Sequence, residues 1–95
     1  MSSDAVHHTQ QLVKRAIAKT LQGFRAQKRL TQEDLAGLCN VDRSYISMIE
    51  VGRNEPSVTK IFELCEGLGI SVTSFFQIVE REVQLLKKEL PPDRQ

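Results

Sequence analysis

The chain has 95 residues, 40% hydrophobic and 26% charged, with 13 Lys/Arg against 12 Asp/Glu and a net charge of +1. That is enough for one small core, and the balance is that of an ordinary globular domain rather than a disordered or disulfide-stapled chain. No apolar run approaches the roughly 18 residues that a membrane span needs, and MSSDAVHHTQQ lacks the basic-then-apolar order of a secretory signal, so a cytoplasmic protein with no membrane partner is expected.

Residues 1–8 are small and polar and are expected to form a flexible N-terminus. His7 and His8 have no companion Cys, third His or spaced carboxylate, so no metal site is expected there. From about Thr9 the pattern turns helical. Val13, Ile17, Leu21 and Phe24 recur at spacings of four, four and three and share one face, while Lys14, Arg15, Lys19, Arg25, Lys28 and Arg29 dominate the rest. This helix should end near Lys28 or Arg29. Gly23 interrupts it and is read as a point where a neighbouring helix can approach.

Thr31 is a good N-cap, and Asp34 three residues later completes a capping pattern. The second helix should run from about Gln32 to Cys39, with Leu35, Ala36 and Leu38 on its apolar side. Asn40 tolerates the left-handed conformation that ends helices. Val41 is an apolar plug, Asp42 a second N-cap, and a third helix should run from about Arg43 to Val51 with Ile46 and Ile49 inward. Gly52 breaks it and RNEPS is a loop. Ser57 caps a fourth helix, about Val58 to Leu68, stopped by Gly69. Ile70-Ser71-Val72 reads as an extended linker. Ser71 or Thr73 then caps a last helix, about Thr73 to Lys88, closed by Pro91 and Pro92. Cys39 and Cys65 sit in apolar helical patterns and are read as buried free thiols. The expected fold class is all-α: five helices, one domain over 9–90 with an extended C-terminal helix at 73–90, and a tail at 91–95.

Residues 30–55, LTQEDLAGLCNVDRSYISMIEVGRNE, carry the functional signal. A helix-turn-helix needs a small residue where its helices touch (Ala36), a bend (Asn40), an apolar plug after the bend (Val41) and apolar anchors on the second helix (Ile46, Ile49). All four occur at mutually consistent spacing. With Ile46 and Ile49 inside, a period of 3.6 turns Arg43, Ser44 and Ser47 outward. Arg can donate bidentately to guanine O6 and N7, and Ser can pair with a donor or an acceptor. Tyr45 could reach a phosphate or a thymine methyl, and completes the candidate base-contacting set. Gln32 opens a helix whose N-terminal N–H groups favour an anion. With Arg53, Asn54 and, less distinctly, Lys28, it forms the candidate phosphate-contacting set. Charge supports this placement: residues 1–60 hold nine Lys/Arg against six Asp/Glu, whereas residues 61–95 hold four against six. There is no Ser/His/Asp set, metal cluster or glycine-rich phosphate loop, so neither an enzyme nor a cofactor is expected, and no pocket for a small molecule is evident.

The segment LTQEDLAGLCNVDRSYISMIEVGRNEPS resembles the Cro/C1-type (lambda-repressor-like) helix-turn-helix domain, and IFELCEGLGIS resembles its closing helices. The likeness covers about Arg25 to Phe76. It implies a structural ion pair between Arg25 and Glu50, a phosphate contact from Gln32, and base contacts from Arg43, Ser44 and Ser47. DRSYISMIE is also similar to the controller proteins of restriction–modification systems, which are small homodimeric transcription regulators. Asn40 departs from the family's usual Gly in the turn.

Phe75, Val79, Val83, Leu86 and Leu90 form an apolar stripe along the last helix. It can pack back on its own domain or form a two-fold interface. A palindromic operator, read by two recognition helices about 34 Å apart, requires the second. The expected function is therefore a homodimeric regulator that binds double-stranded DNA. The alternative is an antitoxin-like interaction module that retains the fold, with the last helix holding another protein.

Overall fold

In the computed structural model, which describes residues 3–89 and their side chains from His8 onward, the hydrophobic periodicity becomes five helices. They are α1 (Ser3–Gln27), α2 (Gln32–Cys39), α3 (Arg43–Glu50), α4 (Val58–Leu68) and α5 (Val72–Lys88). No strand occurs among the described residues. The N-terminal boundary differs from expectation. α1 begins at Ser3 rather than near Thr9, so the described part of segment 1–8 is helical in backbone. Met1, Ser2, Leu90 and the 91–95 tail lie outside the described residues.

The helix ends follow side-chain chemistry. Thr31 Oγ1 accepts from the Asp34 N–H at 2.9 Å, and Asp34 Oδ2 accepts from the Thr31 N–H at 2.9 Å, a complete capping box. The Thr31 N–H, with a smaller contribution from the Thr31 side chain, holds the Asp34 carboxyl below its ordinary pKa. Asn40 ends α2 in the left-handed region at φ 55°. Asp42 stands at the N-cap of α3, but its side chain makes no cap hydrogen bond. Ser57 caps α4 by accepting from Lys60 N–H. Ser71, rather than Thr73, caps α5 by accepting from Ser74 N–H. The expected linker therefore shortens, because Val72 is already helical. Gly69 takes φ 71° at the end of α4, where a side chain would be strained.

The core is one cluster drawn from every helix. Leu12, Ala16, Ile17 and Leu21 of α1 meet Leu35 and Ala36 of α2, Ile46 and Ile49 of α3, Ile61, Leu64, Cys65 and Leu68 of α4, and Phe75, Val79 and Leu86 of α5. Cys65 is a buried free thiol whose pKa burial pushes to about 11. Cys39 is also free but only half-buried. It lies where α2 crosses α4, and its Sγ donates to the Glu63 carbonyl at 3.6 Å. Gly67 permits that crossing, since a Cβ there would stand 2.6 Å from the Cys39 Sγ. Gly23, by contrast, faces open space and admits no helix, which corrects its reading as a close-approach site.

The most extensive packing is α1 against α5. Phe24 of α1 stacks on Phe75 of α5 with ring centroids 6.1 Å apart. Phe75, Val79 and Leu86 are 0%, 6% and 1% exposed within the single chain, and Val83 packs against the same core. The stripe expected to form a dimer interface (Phe75, Val79, Val83, Leu86) is thus already used by the fold. The reason is the length of α1. Its 25 residues span about 37 Å at 1.5 Å per residue, so it covers the α5 face that five short helices could not.

Candidate nucleic-acid interface

α3 is placed by its buried side. Ile46 and Ile49 are 0% exposed and anchor it against α2 and α1. The opposite side presents Arg43 and Ser44 exposed, with Ser47 and Met48 half-exposed. Tyr45 lies elsewhere than expected. It is half-buried against the core cluster, and burial raises its phenol pKa. Lys60 and Glu63 of α4, joined by a 3.0 Å ion pair, are its charged neighbours.

The C-terminal end of α3 is tied to α1. Arg25 Nε donates to Glu50 Oε2 at 2.7 Å and Nη2 to Oε1 at 2.9 Å, a bidentate pair. The Glu50 side chain is 5% exposed and that of Arg25 21%. The hydrogen bonds to Glu50 raise the Arg25 pKa, against a smaller lowering by burial. Arg25 Nη1 also donates to the Leu30 carbonyl at 2.8 Å, which fixes the chain where it leaves α1. The expected ion pair is therefore present, with one partner that periodicity did not reveal. Gln22 Nε2 donates to the Glu50 main-chain carbonyl at 2.7 Å. Polar residues on an amphipathic helix read as solvated until the fold shows what stands opposite, so only its spacing of three from Arg25 hinted at a shared face.

Gln32 continues the network. Its Nε2 donates to Glu50 Oε1 at 3.0 Å, and its Oε1 accepts from Arg43 Nη1 at 3.3 Å. A chain of side chains thus runs from α1 through the end of α3 and the start of α2 to the first residue of α3. Gln32 and Arg43, expected separately as phosphate- and base-contacting residues, stand side by side.

After α3 the backbone wraps onto the helix end. Gly52 takes φ 79°, and the N–H groups of Arg53 and Asn54 both donate to the Met48 carbonyl, at 3.0 and 3.2 Å. Arg53 and Asn54 are exposed beside the open edge of α3. Lys28 is exposed beyond the end of α1. Arg29, next to it, has φ 58° in the turn that carries the chain to Thr31. Among the described residues no three His, Cys, Asp or Glu converge on a point. No single described helix is long and apolar enough to cross a membrane.

This arrangement, a short helix anchored by Leu35 and Ala36, a tight turn and a second helix with one polar, cationic edge, defines a helix-turn-helix DNA-binding protein. Residues 21–75 match the family described as Helix-turn-helix, and the chain belongs to that family, in its Cro/C1-type form. It is 37% identical over 71 residues to an HTH-type transcriptional regulator of Bacillus subtilis, YqaF, covering 75% of this chain and 93% of that protein. The fold is similar to that of the clp gene regulator ClgR from Corynebacterium glutamicum, with TM-score 0.77, 30% identity and coverage of 81% and 82% of the two chains. It is likewise similar to the restriction-modification controller protein C.Esp1396I, with TM-score 0.72, 30% identity and coverage of 76% and 95%. That controller has also been solved as a tetramer in complex with its natural 35 base-pair operator. YqaF is a transcriptional regulator and ClgR a gene regulator.

Proposed function

We propose that the protein is a sequence-specific transcription regulator that acts as a homodimer on a palindromic operator, with α3 in the major groove. The observation that carries this reading is the pre-set position of Arg43. It is exposed at the first turn of α3 and donates to Gln32, which in turn donates to the Glu50 held by Arg25, so the network directs its guanidinium toward the open edge of α3. Arg43, Ser44 and Ser47 read base edges. Gln32, Arg53, Asn54 and Lys28 meet phosphates. Tyr45, half-buried against the core, completes the set as a contact to a phosphate or a thymine methyl.

Two copies are needed because one α3 offers too few base-reading side chains for useful discrimination. Each mismatched pair is worth only about 1–3 kcal/mol, and a two-fold dimer doubles the number of positions read. Likeness to a controller that assembles as a tetramer on its operator supports the same logic. Selection of bound sequences from a random duplex pool tests binding and symmetry together. Enrichment of an inverted repeat with half-sites about one helical turn apart is expected. Recovery of unselected DNA at low salt with no repeat would refute the reading.

A further inference from the structure

The carbonyls of the last turn of a helix have no partner within it and must find one elsewhere. In α3 the backbone that follows the helix meets the Ser47, Met48 and Ile49 carbonyls. Val51 N–H donates to Ser47, the Arg53 and Asn54 N–H groups to Met48, and Gly52 N–H to Ile49. The Glu50 carbonyl is met from another helix, by Gln22 Nε2 of α1 at 2.7 Å. We propose that Gln22 is a positioning residue for DNA reading. Through the Glu50 main chain it sets the pose of α3, and so the place at which Arg43, Ser44 and Ser47 meet base edges. The proposal rests on the operator reading above and adds a specificity-determining residue outside the contact set.

Two residues of α1 grip Glu50, and they do different things. Arg25 holds the carboxylate, which is joined to the helix through rotatable side-chain bonds, so the pair leaves the helix itself some slack. Gln22 holds the main chain, where no such bonds intervene. The other end of α3 has no equivalent, because the Asp42 side chain makes no cap hydrogen bond. Ile46 and Ile49 bury one side of the helix, but apolar contacts are non-directional and permit rocking. The eight residues of α3 span about 12 Å at 1.5 Å per residue. A tilt of about 5° at the Glu50 end therefore moves Arg43 by about 1 Å, beyond the roughly 0.5 Å to which a binding constellation must be held. Gln22 is an exposed residue, so its loss empties no core site. Water can satisfy the Glu50 carbonyl in its place but cannot tie that carbonyl to α1.

Fluorescence anisotropy of the full chain on the selected operator and on a random duplex, with thermal unfolding alongside, tests this. Gln22→Met keeps the side-chain length and removes the donor. It is expected to weaken operator binding about three- to tenfold, the net span of one hydrogen bond, while random-duplex binding and the salt slope stay as they were. Gln22→Lys restores a donor of similar reach. Its charge should tighten both duplexes, and the ratio of operator to random affinity should return to that of the unaltered protein. A Gln22→Met protein with an unchanged ratio, whether or not its melting temperature falls, would reduce Gln22 to a structural role and overturn the proposal. Equal weakening on both duplexes would make Gln22 a phosphate contact and overturn it as well. Should Gln22→Met fail to fold, Gln22→Ser, too short to reach the carbonyl, carries the same expectation and the same refutations. Failure of the operator reading shows separately, in the unaltered protein: no selected duplex preferred over random DNA would sink that reading and this proposal together.

Discussion

Arg25 and Glu50, separated by half the domain in sequence, form a bidentate ion pair of 2.7 and 2.9 Å that closes the end of α3 onto α1. Glu50 is thereby kept out of solvent at the end of a helix whose carbonyls already carry partial negative charge. Arg25→Ala should destabilise the protein by about 3 kcal/mol, at the lower end for breaking a buried pair because Arg25 is itself partly exposed. Urea denaturation measures this, and a loss below about 1 kcal/mol would show that Gln32 alone satisfies the carboxylate.

Removal of Arg43 should act differently from removal of Arg53. Arg43→Ala is expected to lose about 1–3 kcal/mol on the selected operator and to relax preference at one base-pair position, whereas Arg53→Ala weakens every sequence alike and lowers the salt slope. Fluorescence anisotropy on operator and random duplexes separates the two. Equal losses on both duplexes for Arg43→Ala would count against direct base readout.

The two adjacent phenylalanines of α5 should part in stability. Phe75, fully buried and stacked on Phe24, should cost about 3–5 kcal/mol when changed to Ala. Phe76, 39% exposed, should cost far less in the monomer. Thermal unfolding of both variants at a concentration below dimerisation makes the comparison, and equal losses would contradict the assignment of the inner face.

Gly67→Ala should destabilise the crossing of α2 and α4 by about 1 kcal/mol or less, since helix propensity and a turn of the half-buried Cys39 side chain offset part of the overpacking. The added Cβ meets the Cys39 Sγ at 2.6 Å, so Cys39→Ala in the same chain should recover most of that loss. A double variant no more stable than Gly67→Ala alone would place the strain elsewhere.

Asp34 sets a pH dependence. Its pKa is lower in the folded chain than in the unfolded one, through hydrogen bonds to the Thr31 N–H and side chain. Its contribution is therefore fully present above the ordinary carboxylate pKa of about 3.9 and is lost as the pH falls through the lower folded value. Asp34→Asn should flatten that part of the acid limb of a stability curve. An unchanged acid limb in Asp34→Asn would assign it to other carboxylates.

Local chemistry made much of this protein legible from its residues. Helix faces, the caps at Thr31 and Ser57, the left-handed stops at Asn40 and Gly69 and the spacing of Ala36, Val41, Ile46 and Ile49 all depend on groups within a few positions of one another. The open edge of α3 followed from the same periodicity, since two buried anchors orient a short helix. Other features depended on which helices meet. A stripe such as Phe75 to Leu86 looks the same whether another chain or its own α1 covers it, and the length and path of α1 decided for the core. Tyr45 and Gln22 were likewise settled by the neighbours α4 and α3 bring to them. The sequence by itself therefore determined the helices, their caps and the polar edge of α3. The tertiary structure decided how the apolar and polar faces were spent, because burial and long-range hydrogen bonds depend on contacts that no local pattern contains.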